Sequence, residues 1–237
     1  MEDPEKTLMR LMKLHSVDRR DIALLDLYYE GEQPLSLLAP ALHDELGGRI
    51  SDVVINWPRM IADAYEHRLD VTFLRMPDVN DTRDNLLRDM LTENAWTRLQ
   101  SEVHTEALAC KRSYVIVGAG ENHGDAPVVT AESPLQVFAR HDPKTRKVVE
   151  AVKVWSDDDR VKWASVYQMG LRTTWRRERA GKWILDESDE HGLDSTLVTE
   201  FVNRGRVTRR GGVSEFQDII PLANAANKMA TDMMVSG

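Results

Sequence analysis

The hydrophobic pattern of this 237-residue chain changes its period near residue 112. Before that point, apolar residues recur at steps of three and four, which is typical of amphipathic helices; after it, short runs rich in β-branched residues alternate with turns. Strands joined by short turns form antiparallel sheets, whereas a parallel doubly wound sheet needs helical crossovers. The pattern therefore predicts an α+β fold, with N-terminal helices, an antiparallel β meander and a C-terminal helix.

This change of period divides the chain into three predicted regions. Residues 1–112 form a helical region, residues 113–212 form a β-rich region, and residues 213–237 form the start of a helix that we expect to continue in a longer chain. Ser214 is the predicted cap of that last helix, because a serine hydroxyl can accept a hydrogen bond from an otherwise unpaired backbone N–H at a helix start.

The helical region divides into several predicted helices. Two short helices separated by a turn precede Gly31, and they rest on two groups of helically spaced apolar residues: Leu8, Leu11 and Met12, then Ile22, Leu25 and Tyr29. A third helix starts at Trp57-Pro58, since proline is tolerated in a first helical turn. It is predicted to bury one stripe of side chains, namely Trp57, Ile61, Tyr65 and Leu69. Residues 71–73 predict a short strand, and residues 84–110 predict two more helices.

Seven short runs in the β-rich region predict strands. They cover residues 114–117, 128–131, 136–139, 148–155, 161–169, 171–175 and 182–185. The polar segment 187–194 that follows them predicts a mobile loop. Because each strand follows the last after a short turn, the runs predict one continuous antiparallel meander.

Composition excludes several classes of protein. Cys110 is the only cysteine, which excludes an internal disulfide and a zinc site built on several thiolates, and its place on an apolar helix face predicts a buried, unreactive thiol. A net charge of −8 argues against a protein that holds nucleic acid by neutralising many phosphates. The sequence lacks both an apolar run of membrane-spanning length and a secretory signal, so we expect a soluble protein made in the cytoplasm.

The residues predict no catalytic, cofactor-binding or metal-binding site. Gly118-x-Gly120 follows a strand but leads into another strand, so a hairpin turn is favoured over a phosphate-binding loop. The histidines form no pair with the spacing of metal ligands on one helix, and both His123 and His141, each close to an aspartate, fall in predicted turns. The three aspartates at 157–159 predict a solvated turn rather than a cation site.

One cluster of charge has a candidate function. Its members are Arg204, Arg206, Arg209 and Arg210, which stand among glycines. Such a segment can act as a flexible arm that contacts phosphates or the acidic face of a partner, and a solvated loop is the alternative.

The apolar face of the last helix is a second candidate surface. It includes Phe216, Ile220, Met229 and Met233, and no later residue of this sequence is available to cover it. We expect these side chains to pack against further chain or against a neighbouring subunit.

Five segments contain short motifs in a fixed order. They are residues 26–35 with Tyr28-Tyr29-x-Gly31, residues 55–59 with Asn56-Trp57-Pro58-Arg59, residues 132–137 with Glu132-Ser133-Pro134, residues 141–146 with Asp142-Pro143-x-Thr145, and residues 212–222 continued by Asn227-Lys228 and Asp232-Met233-Met234. In this order, the segments resemble the N-terminal part of the portal proteins of tailed bacteriophages that infect actinobacteria. The resemblance extends from about residue 20 to the end, and the last motif is the most specific.

The resemblance implies a structural subunit of the portal ring rather than an enzyme. Portal proteins form a homo-oligomeric ring of twelve subunits at one capsid vertex of the virion, against the major capsid protein. The terminase packaging motor docks there, double-stranded DNA passes through the channel during packaging and ejection, and head–tail adaptor proteins attach later. Such subunits are made in the host bacterial cytoplasm, with no cofactor and no membrane. Because family members continue beyond the last matched helix, this chain is expected to form the outer, wing-like region.

Two other functions stay open from the residues alone. A phage-encoded hydrolase predicts a pocket that joins His123 or His141 to carboxylates of the helical region. A DNA-binding adaptor that forms no ring predicts a salt-sensitive affinity for DNA that depends on the arginines at 204–210.

Overall fold

The computed structural model describes residues 3–34, 54–72, 74, 81–120, 124–178 and 181–236, with the backbone alone for 81–86 and 234–236. The helices are α1 (Pro4–Glu30), α2 (Trp57–Glu66), α3 (Asp81–Glu93), α4 (Trp96–Cys110) and α5 (Ile220–Ser236), the last preceded by a 3₁₀ turn (Gln217–Ile219). The strands are β1 (Arg112–Gly118), β2 (Val128–Glu132), β3 (Val137–His141), β4 (Val148–Ser156), β5 (Lys162–Gln168), β6 (Leu171–Arg177), β7 (Ile184–Glu190) and β8 (Val198–Val202). The predicted α+β class is confirmed.

The first helix is one continuous element of 27 residues, so the prediction of two short helices was wrong. Asp3 caps its start by accepting a hydrogen bond from the Glu5 backbone N–H at 3.1 Å, and it ends where Gly31 adopts the left-handed conformation at φ 76°. Neither glycine nor proline interrupts the intervening sequence. The gap between the two apolar groups is bridged by His15, a polar residue that is buried on the same face.

Helix α2 starts at Trp57 as predicted, but its buried face differs from the predicted stripe. Asn56 caps it by accepting a hydrogen bond from the Arg59 N–H at 3.1 Å. The helix buries the small residues Pro58 and Ala62, and it ends at Glu66. Of the predicted stripe, Trp57 and Ile61 are half-buried while Tyr65 and Leu69 are exposed, because α2 contacts its neighbours through the small residues between them.

The strand predicted at residues 71–73 is absent at its described residues, and Phe73 lies outside them. The Val71 backbone N–H donates to Gln100 Oε1 at 2.9 Å, and its carbonyl accepts from Trp96 Nε1 at 3.3 Å. Side chains of α4 therefore satisfy backbone groups that would otherwise need a neighbouring strand. The two helices predicted at residues 84–110 are confirmed as α3 and α4.

The strands form two antiparallel sheets rather than one continuous meander. Strands β3 to β7 form a five-stranded meander, while the other sheet has the order β2-β1-β8. The turn at Ser133 separates them: its carbonyl accepts from the N–H groups of Gln136 and Val137, both at 2.9 Å, and the chain leaves one sheet for the other. Gly118 pairs with Val128 in the β1–β2 hairpin, which confirms the turn interpretation of the glycine motif.

Strand β7 begins within the strand predicted at residues 182–185, but it continues through residues 187–190, which the sequence predicted as a mobile loop. It pairs with β6 as far as Leu171 and Glu190, and it is linked to β6 by ion pairs of Arg172 with Glu187 at 3.0 Å and of Arg176 with Asp186 at 3.2 Å. Six of its seven residues are exposed, so its second half has no buried face and no alternating hydrophobic pattern that would predict a strand there.

The helices and sheets share three groups of buried side chains. Helix α1 covers one face of the five-stranded sheet through Leu8, Leu11, Val152, Ala164, Val166 and Trp175. The three-stranded sheet covers the opposite face through Tyr114, Ile116, Val137, Ala151, Tyr167 and Val198. A third group joins the helices to the last segment and includes Ile22, Leu25, Ala62, Leu108, Cys110 and Phe216. The five-stranded sheet is therefore packed between α1 and the smaller sheet.

The last helix starts six residues later than its predicted cap. Ser214 is fully buried and its hydroxyl donates to the Leu108 carbonyl at 3.3 Å, while the Glu215 N–H donates to the same carbonyl at 2.9 Å. The segment before the helix is thus bound to the end of α4, and the α-helix itself begins at Ile220 after the 3₁₀ turn.

His15 is a buried titratable group at the contact between α1 and the turn before β3. Its Nε2 lies 3.3 Å from the Pro134 carbonyl. Burial lowers the pKa of His15 from its ordinary value of 6.5, and Arg19 lowers it further, while the Pro134 carbonyl and Asp18 act in the opposite direction. The folded state therefore favours the neutral ring.

We predict that His15 makes folding less stable as the pH falls through about 6.5. Below that value the unfolded chain binds a proton that the folded chain takes up only at lower pH, so the free energy of unfolding decreases until the folded pKa is passed. His15→Gln should flatten this dependence in urea titrations between pH 7.5 and 5. The control His67→Gln changes an exposed residue at the end of α2. An equal slope for the protein and for His15→Gln would contradict the prediction.

Candidate functional site: a basic groove and the outward face of the last helix

The four arginines predicted as a contact segment lie in a tight turn after β8. The backbone N–H groups of Arg206 and Arg209 each donate to the other residue's carbonyl, at 3.2 and 2.9 Å. Asn203 holds the turn closed by donating from its side chain to the Val213 carbonyl at 2.8 Å. The segment from Asn203 to Val213, which we call the arginine turn, is therefore a closed turn anchored at both ends rather than an extended arm.

The turn directs its arginines in different directions. Arg206 and Arg210 line a groove of about 1280 Å³. Arg204 lies 3.8 Å from Glu215, in front of the last helix, and Arg209 is exposed without lining the groove. The structure thus brings two of the four predicted residues together at one surface.

The groove lies between this turn and the β3–β4 hairpin. The hairpin contributes Arg146 and Lys147 to its rim, and both are exposed. Asp142 shapes the hairpin by accepting the backbone N–H groups of Lys144 and Thr145 at 2.9 and 2.6 Å, and these bonds lower the pKa of its carboxyl. Apolar side chains line the interior, among them Phe138, Val148, Val198 and Val202. The result is an apolar groove with cations at its rim, which we call the basic groove.

A buried guanidinium lies at the floor of the basic groove. The Arg112 side chain is 8% exposed, forms an ion pair with Asp18 of α1, and places its Nε 3.5 Å from Glu200 Oε1 of β8. Its Nη1 donates to the Gly211 carbonyl at 3.2 Å, at the end of the arginine turn. Arg112 therefore joins the first helix, the smaller sheet and the arginine turn.

Glu200 connects Arg112 to two further polar side chains. Its Oε1 accepts a hydrogen bond from the Tyr114 hydroxyl at 3.1 Å, and its Oε2 lies 3.0 Å from His141 Nε2. Burial raises the pKa of Tyr114; Arg112 lowers it, but the Glu200 carboxylate raises it further. The phenol consequently keeps its proton and acts as a donor. Both oxygens of the carboxylate are occupied, which leaves it poorly placed to act as a general base.

The structure contains one contact that a hydrolase would need, a histidine beside a carboxylate. His141 does face a carboxylate, but that carboxylate belongs to β8, and Asp18 of the helical region is bound to Arg112 instead. Among the described residues, no serine, threonine or cysteine donates to His141 as an activated nucleophile would. His123 lies outside the described residues.

Other predicted features also have structural roles. Burial raises the pKa of the Cys110 thiol, and the nearby Glu106 carboxylate raises it further, which disfavours the reactive thiolate. Asp157 accepts from the Val161 N–H at 2.9 Å and from Trp163 Nε1 at 2.7 Å, as expected for a turn residue. Within the part of the chain that the structure describes, no three His, Cys, Asp or Glu side chains are grouped to hold a metal ion. No described helix is both long and apolar enough to cross a membrane.

The predicted contact residues of the last helix divide between its two faces. Phe216 is fully buried among the helices, and Ile220 packs against the same group. Met229 and Met233 are 66% and 72% exposed, and Leu222, spaced seven residues before Met229, lies on the same outward face. Inward packing is instead made through the small or polar residues Ala223, Asn227 and Thr231, and Asn227 Oδ1 accepts the Ile55 N–H at 2.8 Å.

The residues that organise the groove were not predicted from the sequence. Arg112 and Glu200 are single charges inside or beside apolar strand runs, and Asp18 lies 94 residues before Arg112. A charged residue within an apolar strand run predicts a buried ion pair, because a buried charge needs a partner. The identity of that partner depends on the tertiary fold.

The chain matches a family of known proteins over most of its length. The family model described as "Phage portal protein, SPP1 Gp6-like" matches residues 10–236. The portal protein of Mycobacterium phage D29 is 25% identical over 199 residues, which cover 79% of this chain and 40% of that protein. The portal protein of Mycobacterium phage L5 is 23% identical over 226 residues, which cover 91% and 45%. The chain thus spans less than half of the length of these curated relatives.

We predict that Arg112→Met lowers the free energy of unfolding by about 3 kcal/mol, because it leaves the carboxylates of Asp18 and Glu200 without their buried cation. Urea unfolding at pH 7 measures the loss. Arg98→Met is the matched control, since Arg98 is 78% exposed and, among the described residues, pairs only with Glu102 one helical turn away. It should change stability by less than about 0.5 kcal/mol. Equal effects of the two substitutions would contradict the structural role of Arg112.

Proposed function

The chain belongs to the SPP1 Gp6-like family of phage portal proteins, and on that premise we propose that it is a structural subunit of the portal ring at the capsid vertex of a tailed phage. In this role it serves DNA packaging and ejection and the connection of head to tail. The observation on which the proposal rests is the family match, which runs from α1 through both sheets into α5. Two curated portal proteins of mycobacteriophages align over 79% and 91% of the chain.

The proposed particle is a closed ring of twelve identical subunits located in the virion and made in the host bacterial cytoplasm. Its proposed partners are the terminase packaging motor, the major capsid protein, head–tail adaptor proteins and the double-stranded DNA that moves through the channel. Residues 1–112 and 113–212 are proposed to form the outer, wing-like region, and the helix that begins within residues 213–237 is proposed to lead towards the stem. We propose no enzymatic activity for the chain.

The net charge of the chain supports a protein past which DNA slides rather than one that binds DNA tightly. Each phosphate that a protein neutralises adds to its affinity for DNA, and tight binding opposes sliding. The chain has 39 acidic and 31 basic residues, so its net charge does not favour retention of DNA. The positive charge of the arginine turn is small compared with the excess of acidic residues in the chain. We propose that the arginine turn contacts protein.

The outward face of α5 supports a subunit that packs against further protein. Leu222 and Met229 are both more than half exposed and lie on one side of the helix. Exposed apolar side chains that are grouped in this way are typical of protein contacts. We propose that Met229 and Met233 contribute to packing in the assembled ring, whereas Phe216 and Ile220 serve the core of the subunit itself.

We predict that the complete protein, expressed from its full reading frame, assembles into closed rings of one size. Mass photometry and native mass spectrometry should give a mass of twelve subunits that does not grow with protein concentration, because a closed ring leaves no free interface. A stable monomer across a range of salt and protein concentrations would contradict the proposal. Salt-sensitive DNA binding by that monomer would instead favour the DNA-binding adaptor.

A further inference from the structure

Strand β7 is an exposed edge of the five-stranded sheet. It pairs with β6 on one side, and it is the last strand in the order β3-β4-β5-β6-β7. Its sequence combines two exposed apolar side chains, Ile184 and Leu185, with four acidic ones: Asp186, Glu187, Asp189 and Glu190. An open edge with exposed apolar groups is a surface to which another chain can bind, and its charges restrict which chain that can be.

The basic groove offers the complementary charge. Four cations line its rim, namely Arg146, Lys147, Arg206 and Arg210, in addition to the buried Arg112; the carboxylates of Asp142 and Asp194 line it as well. In the described part of the chain none of the four forms an ion pair, whereas the groove's Asp18 and Glu200 are both bound to Arg112. The apolar interior of the groove also suits a segment with apolar side chains, which a nucleic-acid backbone does not offer.

The groove also presents an unpaired strand edge. The hydrogen bonds of Asn203 with Lys111 and of Val117 with Leu197 place the odd-numbered residues of β8 against β1. Glu200 and Val202 therefore direct their backbone N–H and C=O groups away from β1, and both residues line the groove. An extended segment bound there can hydrogen-bond to β8 as an added strand.

The groove and β7 adjoin different edge strands of the five-stranded sheet, although the lining of the groove extends to Met169 and Asp194, close to the last residue of β7. The groove is bordered by β3, and β7 is the other edge of the same sheet, four strand spacings or roughly 19 Å away. Because β7 is paired with β6 along its whole length, a subunit does not place its own β7 in its own groove. One surface that complements a different surface of the same subunit is the arrangement that joins identical subunits head to tail. Such a contact gives a ring when its rotation closes, as the proposed portal ring requires.

We infer that β7 of one copy of this chain binds in the basic groove of the next copy. This inference rests on the proposed ring and names one of its contacts between subunits. Asp186, Glu187 and Asp189 form ion pairs with Arg172 and Arg176 on the exposed surface, and such pairs are weak enough to be exchanged when a second set of cations arrives. Glu190 forms no ion pair among the described residues and faces the neighbour directly.

The acidic charge of β7 also excludes a competing assembly. Two copies of β7 that met edge to edge would place four carboxylates against four, and like charges on facing strands are destabilising. A symmetric pair of that kind would close the assembly at two subunits. The charge pattern therefore disfavours the dimer and leaves the cationic groove as the compatible site.

Charge reversal on each side tests the inference with the complete protein. The first variant is Glu187→Lys with Glu190→Lys on β7, the second is Arg206→Glu with Arg210→Glu in the groove, and the third combines all four. Each of the first two should raise the protein concentration needed for ring formation at least tenfold. The combined variant should return that concentration to within about threefold of the unmodified protein, because opposite charges face each other again.

The matched control for the β7 variant is Asp158→Lys with Asp159→Lys, which makes the same change of net charge as that variant in the exposed turn after β4 and should leave assembly unchanged. Thermal unfolding of each variant identifies loss of folding, and the combined variant serves as a second check because misfolded surfaces would not regain assembly.

Rings that form equally well in all variants would overturn the inference while the ring itself stands. Failure of the combined variant to recover, or loss of DNA binding in place of assembly in the groove variant, would also overturn it. If the unmodified protein forms no ring, the proposed function fails as well.

Discussion

The buried guanidinium of Arg112 is the interaction on which the groove and its surroundings depend. Removing a charge from water costs several kcal/mol, so Arg112 is stable there only with its partners, the carboxylates of Asp18 and Glu200. Those partners lie on α1 and β8, and the same side chain donates to Gly211 at the end of the arginine turn. Helix, sheet and turn are therefore positioned together, and the cations of the groove rim are held over a floor whose own charges are already paired.

The periodicity of the sequence predicted most elements because their burial is regular. The strands from β1 to β6 bury side chains on at least one face and were recognised, as were α3 and α4. Two errors have a common physical cause. His15 is polar but buried in the middle of α1, and residues 187–190 form the second half of a strand although they bury no face. In each case the polarity of a residue does not indicate whether it is buried. The site was harder to predict, since the arginine turn is visible as local charge whereas the groove depends on Asp18 and Glu200, which are distant in sequence.

The portal role and the geometry of the chain support each other through the asymmetry of the subunit. One edge of the five-stranded sheet carries an acidic, solvent-exposed strand, and the other borders a groove whose rim cations form no ion pair with any described residue. In a protein that acts alone, the complementary charges of the β7 edge and the basic groove would have no contact to form, because one subunit does not bring them together. A subunit that repeats around an axis does, because each copy presents one surface to each neighbour. The acidic charge of the chain agrees with the proposed role in a particle through which DNA moves.

Electron cryomicroscopy of the particle formed by the complete protein is the most direct test of the ring assignment. The account predicts a closed ring in which the fold of residues 10–236 recurs around the axis, with the sheets at the outer rim. It also predicts that the β7 edge of each copy lies beside the Arg206–Arg210 side of the next. Isolated single subunits, or a two-fold dimer joined through β7, would contradict it.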